Sequence, residues 1–402
     1  MMSETTHHIP WHVQCPIYAA GMFSHSLNGM ATVVLALWVL SLESSPLVIG
    51  IALGSRYALL TVFSIHSGAL MDRLGTRRVM LIFGAASVGL HLAYPAFPSI
   101  TGFILLQMLA GLAGAMGWIG SQTLVGQLMK GSPTYTGRLS FSLRIGAFIG
   151  PPIVGAMWDY FGPWAAFSIL ALWAFCGFFA AVCLPSPDKK TRKRVHAADL
   201  MPRWSDYVDA FRLLAAPAIA LVLAVTVMRH TAVSIQHTFY VVWIEQMGIS
   251  GVQIGVLLSA WAVLGSVSAL SVGRLTRFVS DYWLVIVMVT AQIVLISITP
   301  LLFNYALLLV AMALYGGAMG ISQPLMIALM ARYTGKAHQG KSAGLRTTAN
   351  QLSAAVMPIL IGGIVEIVEL EASFYLVGAI LVIFMGWVAY AVTRSPAFAA
   401  NR

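Results

Sequence analysis

Long apolar runs, each followed by a short polar segment, succeed one another along almost the whole chain. Each run has about 20 residues, the length that a helix needs to cross the roughly 30 Å hydrocarbon core of a bilayer. The pattern predicts an all-α membrane protein. Its twelve predicted membrane-spanning helices lie at about 16–42, 46–70, 79–98, 101–126, 138–159, 163–184, 217–243, 252–273, 282–303, 306–330, 345–366 and 372–393.

The composition excludes the soluble globular classes. Hydrophobic residues make up 59% of the chain and charged residues only 9%, far from the balance of a soluble domain. The sequence also lacks a nucleophile with an adjacent base, a nucleotide-binding glycine loop and a metal-ligand cluster. We therefore expect neither an enzyme nor an ATP-driven pump, with no cofactor and no bound metal.

The distribution of charge predicts the orientation of the chain. Of the 23 Lys and Arg, all but Arg56, Arg144 and Arg229 fall on one side of the predicted membrane. The acidic residues Glu43, Asp159, Glu245, Glu366, Glu369 and Glu371 fall on the other side. Because basic loops remain in the cytoplasm, both termini are predicted to be cytoplasmic. The net charge of +10 then indicates contact with anionic lipid headgroups and not with nucleic acid.

A polar stretch at 185–216 divides the chain into two six-helix halves, residues 1–184 and 217–402. An offset of 205 residues aligns His25 with His230 and Trp38 with Trp243, and further on an offset of 207 aligns Pro151 with Pro358. Transporters are often built from duplicated halves. Six helices in each half, entering from the same side, predict parallel repeats.

The segment GALMDRLGTRR at 68–78, between the second and third predicted helices, carries the most specific motif. It resembles the loop signature of the major facilitator superfamily, and the resemblance covers nearly the whole chain. In that family the cluster bridges the two halves and favours the outward-facing state. The resemblance implies a conformational latch made of Gly68, Asp72, Arg73, Gly75, Arg77 and Arg78.

A second motif, GPPIVG at 150–155, is similar to the Gly-Pro motif of drug and metabolite exporters of this superfamily. Gly150, Pro151 and Gly155 would allow close helix packing and a local kink. One departure is Gln107, which stands in the fourth helix where proton-coupled exporters of this type usually carry an arginine. The resemblance implies a monomeric transporter in a bacterial-type inner membrane.

Arginines without a matching carboxylate lie inside the predicted membrane. Arg56, Arg144 and Arg229 fall within helices, and no Asp or Glu falls near the middle of any predicted helix. A guanidinium facing lipid is costly, so these side chains should face a central cavity. Because Arg matches carboxylate or phosphate in a bidentate way, the missing anion is predicted to be the substrate. The alternative is that backbone carbonyls and polar side chains hold the arginines.

Histidines in the first and seventh predicted helices are candidates for coupling protons to transport. His25 and His230 are equivalent in the repeat and are expected to face one another across the cavity. A histidine can change charge near neutral pH. Further candidate substrate ligands in these helices are Asn28, Gln236, His237 and Tyr240.

The function expected from these features is secondary transport by alternating access, with export of a small anionic or zwitterionic organic solute. A broad multidrug exporter is one alternative. A copper transporter is another, because the chain has 20 Met and 10 His, with Met319, Met326 and Met330 on one face of the tenth predicted helix. Thioether and imidazole ligands suit copper.

Overall fold

The computed structural model describes the backbone of residues 9–42, 44–129, 133–185 and 217–394. Within these ranges the side chains of 64–66, 68–69, 72–73, 133–134, 217–218 and 331–344 are not described. The predicted linker at 185–216 therefore lies almost wholly outside the described residues, and the domain boundaries drawn from it stay a prediction. We call residues 9–185 the N-terminal half and residues 217–394 the C-terminal half.

The regular structure of the described residues is helical, as the apolar runs predict. The α-helices are α1 Trp11–Leu40, α2 Pro46–Gly54, α3 Ala58–Leu74, α4 Thr76–Ala93, α5 Ile100–Met129, α6 Pro133–Val182, α7 Pro217–His237, α8 Phe239–Gln246, α9 Gly251–Leu275, α10 Asp281–Ser297, α11 Tyr305–Ile367 and α12 Leu370–Arg394.

These helices account for the twelve predicted crossings. A 3-10 turn, Ser55–Tyr57, joins α2 to α3 within one crossing, and α7 continues into α8. The long helix α6 contains two crossings, because Gly162 has a φ of 78° and a ψ of −173°, outside the helical region. Helix α11 likewise holds two apolar stretches, Tyr305–Met330 and Leu345–Ile367. Helix α10, with 17 residues, is the shorter apolar crossing.

Successive crossings run in opposite directions, so the helix ends form two sides. We call one the Asp159 side, where α1 and α8 end and where α2 and α9 begin. The other, the Arg77 side, carries the end of α3 and the start of α4. Arg77 donates there to the backbone carbonyls of Val182 at 2.7 Å and Ala181 at 3.4 Å, which ties the start of α4 to the end of α6.

Most of the contact between the two halves is made by two helix pairs, α2 with α11 and α6 with α9, and smaller contacts are made by α1 and α3. Glycines let the backbones approach on the Asp159 side: a Cβ at Gly50 would collide with the carbonyl oxygen of Pro358, and one at Gly155 with that of Gly251. Small residues commonly serve this purpose between membrane helices.

Toward the Arg77 side, α6 and α9 no longer touch in this way. A Cβ at Gly137 or Gly273 would meet no atom within 4 Å. Among the described glycines of this helix pair, those in close backbone contact therefore lie on the Asp159 side.

Candidate substrate site between the two halves

Arg56 occupies the 3-10 turn between α2 and α3 and is almost fully buried, with 7% of its side chain exposed. Its Nη2 donates to Asn28 Oδ1 of α1 at 2.5 Å, so this charged donor meets a neutral amide oxygen. Its Nη1 is buried and has no hydrogen-bond partner among the described residues. Arg56 thus keeps a charged donor available inside the protein, where an unpaired donor is costly.

The backbone of Arg56 is held against α5 by a glycine. A Cβ at Gly111 would collide with the carbonyl oxygen of Arg56 and would lie 2.8 Å from its Cγ. Only a residue without a side chain permits this approach, so Gly111 determines where the guanidinium can reach.

A hydrogen bond joins the halves one turn along α1 from Asn28. Thr32 Oγ1 lies 3.2 Å from His237 Nδ1 at the end of α7 and donates to the carbonyl of Asn28 at 3.0 Å. Because a hydroxyl has one proton, the His237 tautomer compatible with Thr32 donating to Asn28 is the one with its hydrogen on Nδ1. Thr32 and His237 are 205 residues apart, the repeat offset, so this contact between equivalent positions lies close to the pseudo-twofold axis.

Trp261 of α9 extends this series of contacts further into the C-terminal half. Its ring lies edge-on to the His237 ring at a centroid distance of 6.4 Å, and its Nε1 donates to Met319 Sδ at 3.1 Å. Arg56, Asn28, Thr32, His237 and Trp261 form what we call the midline cluster. It offers a charged group at one end, an aromatic surface at the other and hydrogen-bonding groups between them.

Arg229 of α7 is buried more deeply, with 2% of its side chain exposed. Its one described hydrogen bond, from Nη2 to Gln323 Oε1, is long at 3.5 Å, and its Nε has no partner among the described residues. Tyr315 and Arg346 lie within electrostatic range. As with Arg56, no carboxylate among the described side chains pairs with this guanidinium.

Among the described contacts, none joins His25 to His230. The ring of His25 instead lies 4.9 Å from that of Trp118 in its own half, while His230 lies within electrostatic range of Arg229, His237 and Arg346. His25 lies seven residues before Thr32 on α1, and its ring packs against Trp118 of α5 within the N-terminal half instead of crossing to α7.

The remaining predicted ligands occupy three different places. Arg144 Nη1 donates to Ser266 Oγ at 2.6 Å, from α6 to α9 and therefore across the halves. Gln236 is buried within the C-terminal half, where its Nε2 contacts Met312 Sδ at 3.7 Å. Tyr240 is also buried there, and its hydroxyl has no described partner. The structure thus does not bring Gln236 and Tyr240 to the midline cluster.

The loop signature at 68–78 is described only in part. The side chains of Gly68, Asp72 and Arg73 lie outside the described residues. Gly75 has a φ of 87°, which allows the sharp turn from α3 to α4. Arg77 donates to the carbonyls of Ala181 and Val182 within the N-terminal half, and Arg78 is exposed. The described hydrogen bonds of this motif therefore lie within the N-terminal half.

The Gly-Pro motif lies where α6 contacts both α1 and α9. A Cβ at Gly150 would lie 2.6 Å from Met30 Cγ of α1, and the carbonyl oxygen of Pro151 would lie 2.5 Å from a Cβ at Gly255. Together with Gly155, these residues let α6 pack closely against α1 of its own half and against α9 of the other half.

Comparison with known proteins agrees with this architecture. The family model described as Major Facilitator Superfamily matches residues 17–304 and, in a second overlapping match, 226–401. The chain belongs to the major facilitator superfamily. This transporter is 23% identical over 391 residues to the enterobactin exporter EntS of Citrobacter koseri, covering 92% of this chain and 91% of the relative. It is 24% identical over 311 residues to EntS of Escherichia coli O1:K1, covering 74% and 72%.

Solved structures show the same fold. The crystal structure of a mutant of the nucleoside transporter NupG superposes with a TM-score of 0.78 at 15% identity, covering 94% of this chain and 98% of that one. A mutant peptide transporter POT in complex with alafosfalin superposes with a TM-score of 0.77 at 13% identity, covering 95% and 94%. The chain is a multi-pass membrane transporter of this fold.

Sequence reasoning missed three residues of the site: Thr32, Trp261 and Gly111. The repeat offset carried a signal for each. Counting 205 residues onward from Thr32 gives His237, from Arg56 gives Trp261, and from Gly111 gives Gly316. Applying the offset to every candidate residue would have identified Thr32 from His237 and Trp261 from Arg56, whereas Gly111 would have required applying it to the glycines as well.

Proposed function

We propose that this protein is a secondary active exporter of a small organic anion, which binds at the midline cluster and crosses by alternating access. The observation that carries the proposal is Arg56. Its guanidinium is buried, contacts a neutral amide and leaves Nη1 without a partner. An anionic substrate would supply the missing acceptor and the missing charge, in the bidentate geometry that suits carboxylate or phosphate.

The other cations near the cleft favour the same substrate charge. Arg144 reaches across the halves to Ser266, and Arg229, His230 and Arg346 lie within electrostatic range of one another. Positive groups lining one cleft attract anions and repel metal cations. Trp261 offers an apolar aromatic surface beside this charge, so we propose a substrate with one anionic end and one aromatic or apolar end.

The positive-inside distribution supports an orientation with the Arg77 side in the cytoplasm. The open space beside Gly137 and Gly273 near that side favours an inward-facing state, ready to receive a solute from the cytoplasm. Alternating access would close the Arg77 side and open the Asp159 side around the same cluster. The EntS relatives, named as enterobactin exporters, support export and a bacterial inner membrane location. Histidines of the cleft, His230 and His237, are the proposed groups for proton coupling.

The test compares binding by purified protein with uptake into inverted vesicles. The probes are enterobactin, benzoate as a simple aromatic carboxylate, the cationic dye ethidium, and copper. We expect anionic probes to bind and be transported by the natural sequence. We expect Arg56→Gln to lower their apparent affinity at least tenfold, about 1.4 kcal/mol. The glutamine amide lacks both the positive charge and the pair of parallel N–H donors of the guanidinium.

Arg277→Gln is the matched control, since Arg277 is an exposed arginine beyond the end of α9. It should bind and transport like the natural sequence. Binding of ethidium or copper alone, or full anion binding by Arg56→Gln, would overturn the anion proposal. Transport of ethidium that is insensitive to Arg56 would favour a broad multidrug exporter.

A further inference from the structure

The N-terminus of α9 is completed by a carboxylate from the other half of the molecule. Ser250 and Gln253 form a capping box, which satisfies the N–H of Gln253. The first two helical N–H groups remain, and neither has a partner within its own half. Asp159 of α6 accepts from both, with its two oxygens 2.8 Å from the nitrogens of Gly251 and Val252.

The N-terminus of α2 is completed in the same manner from the opposite direction. Ser45 Oγ accepts from the N–H of Val48 at 3.5 Å, and Pro46, at the first helical position, has no N–H to satisfy. The N–H of Leu47 is not satisfied by either of these residues. Glu366, at the end of α11 in the C-terminal half, accepts from it with Oε1 at 3.2 Å.

These two contacts are equivalent in the internal repeat. Asp159 and Glu366 are 207 residues apart, the offset that also relates Pro151 to Pro358. Ser45 and Ser250 are 205 residues apart, the offset of the first part of each half. Each half therefore donates a carboxylate to the other and presents a serine-capped helix that lacks only that carboxylate.

The backbones are shaped to permit these contacts. A Cβ at Gly251 would lie 2.7 Å from Asp159 Oδ1, and a Cβ at Gly362 would lie 2.6 Å from the carbonyl oxygen of Pro46. Any larger side chain at either glycine would push the capping carboxylate away from its helix. The geometry thus depends on glycine in both halves.

We propose that Asp159 and Glu366 form a two-part gate on the Asp159 side, holding this side closed while the Arg77 side is open. A carboxylate at a helix N-terminus satisfies orphan N–H groups and favourably meets the helix dipole. Opening the Asp159 side must break both contacts at once, because each one joins the two halves. The pair therefore biases the protein toward the state observed here and slows release of substrate on the Asp159 side.

The proposal rests on the alternating access proposed above, but its test needs no substrate. Spin labels at Phe97 and Phe303, which are 60% and 78% exposed, report the distance between the halves on the Asp159 side. The native Cys15, Cys176 and Cys183 are first replaced by serine. We expect one short-distance population for the parent protein. In Asp159→Asn with Glu366→Gln, we expect a longer-distance population to rise about fivefold for each carboxylate lost.

Glu369→Gln is the control, since Glu369 is exposed on the same side and makes no described contact across the halves. Its distance distribution should match the parent. An unchanged distribution in the double variant would overturn the gate, whether or not the melting temperature falls. A merely structural role would lower the melting temperature without changing the distances. A shifted distribution in protein that binds none of the anionic probes would support the gate and contradict the anion site separately.

Discussion

Arg56 in the N-terminal half and Trp261 in the C-terminal half occupy the same position of the repeat, 205 residues apart. The backbone at both positions has the same neighbour. A Cβ at Gly111 would collide with the carbonyl oxygen of Arg56, and a Cβ at the equivalent Gly316 would collide with that of Trp261. The side chains differ entirely, because one is a buried cation and the other is an aromatic ring bonded to Met319.

This difference shows that packing and chemistry have separate requirements in a duplicated protein. The glycine contacts set how closely two helices cross in each half. The side chain projecting from that crossing is free to change. The cation on one side of the pseudo-twofold axis and the indole on the other are the reason for proposing a substrate with an anionic end and an apolar end.

The largest effect is expected from replacing Gly111 or Gly316, the glycines that make the equivalent backbone contact in the two halves. Gly111→Ala and Gly316→Ala should each destabilise the protein by about 1–3 kcal/mol, because a methyl group would be forced against backbone and cannot be relieved by a rotamer change. Thermal unfolding in detergent measures the loss. If the repeat fixes packing equally in both halves, the two losses should be similar.

Gly89→Ala and Gly386→Ala are the controls for these variants. Each glycine lies within a helix, one in each half, and a Cβ at either would meet no atom within 4 Å. Both should be neutral or should stabilise by up to about 1 kcal/mol, since alanine favours the helix. A loss at Gly111 but none at Gly316 would contradict the prediction that the repeat fixes helix packing equally in both halves.

The second-largest effect concerns the charged side chain of Arg56, which has no equivalent in the C-terminal half because Trp261 occupies that position of the repeat. Asn28→Asp places a carboxylate beside Arg56, where the amide oxygen now accepts at 2.5 Å. This internal anion should compete with the substrate and weaken binding of anionic probes about tenfold, equal to about 1.4 kcal/mol. Equilibrium binding measures the change, and a thermal melt verifies that the variant remains folded.

Gln323→Glu makes the corresponding change beside Arg229 in the C-terminal half. Its effect should be smaller, about threefold or 0.7 kcal/mol, because the present contact is 3.5 Å long and lies away from the midline cluster. Equal losses in both variants would show that the two arginines contribute alike. A larger loss at Gln323 would move the proposed site into the C-terminal half.

The fold could be predicted from sequence more fully than the site. Each crossing is encoded locally by about 20 apolar residues, and the loop signature and the repeat identified the architecture. The site depends on relations that composition does not reveal. Arg56 and Arg229 were found because charge in an apolar run is conspicuous, whereas Thr32 is an ordinary polar residue of a helix. His25 and His230 are equivalent in the repeat, but this equivalence does not fix which side chains they contact, and His25 lies against Trp118 of its own half.

The smallest effect is expected near the pseudo-twofold axis, at the described hydrogen bond between Thr32 and His237. Thr32→Val keeps the shape of the side chain but removes the acceptor of His237 Nδ1, which lies 3.2 Å away. The lost bond should cost about 1 kcal/mol, seen as a small fall in melting temperature.

Thr32→Val combined with His237→Leu should cost less than the sum of the two single variants, because the second change removes the donor left unpaired by the first. Strict additivity in this double-mutant cycle would show that the two side chains do not interact. A positive coupling would mean that the two equivalent positions, threonine in one half and histidine in the other, now act as one donor and one acceptor. The midline cluster would then owe its continuity across the halves to the divergence of the repeats.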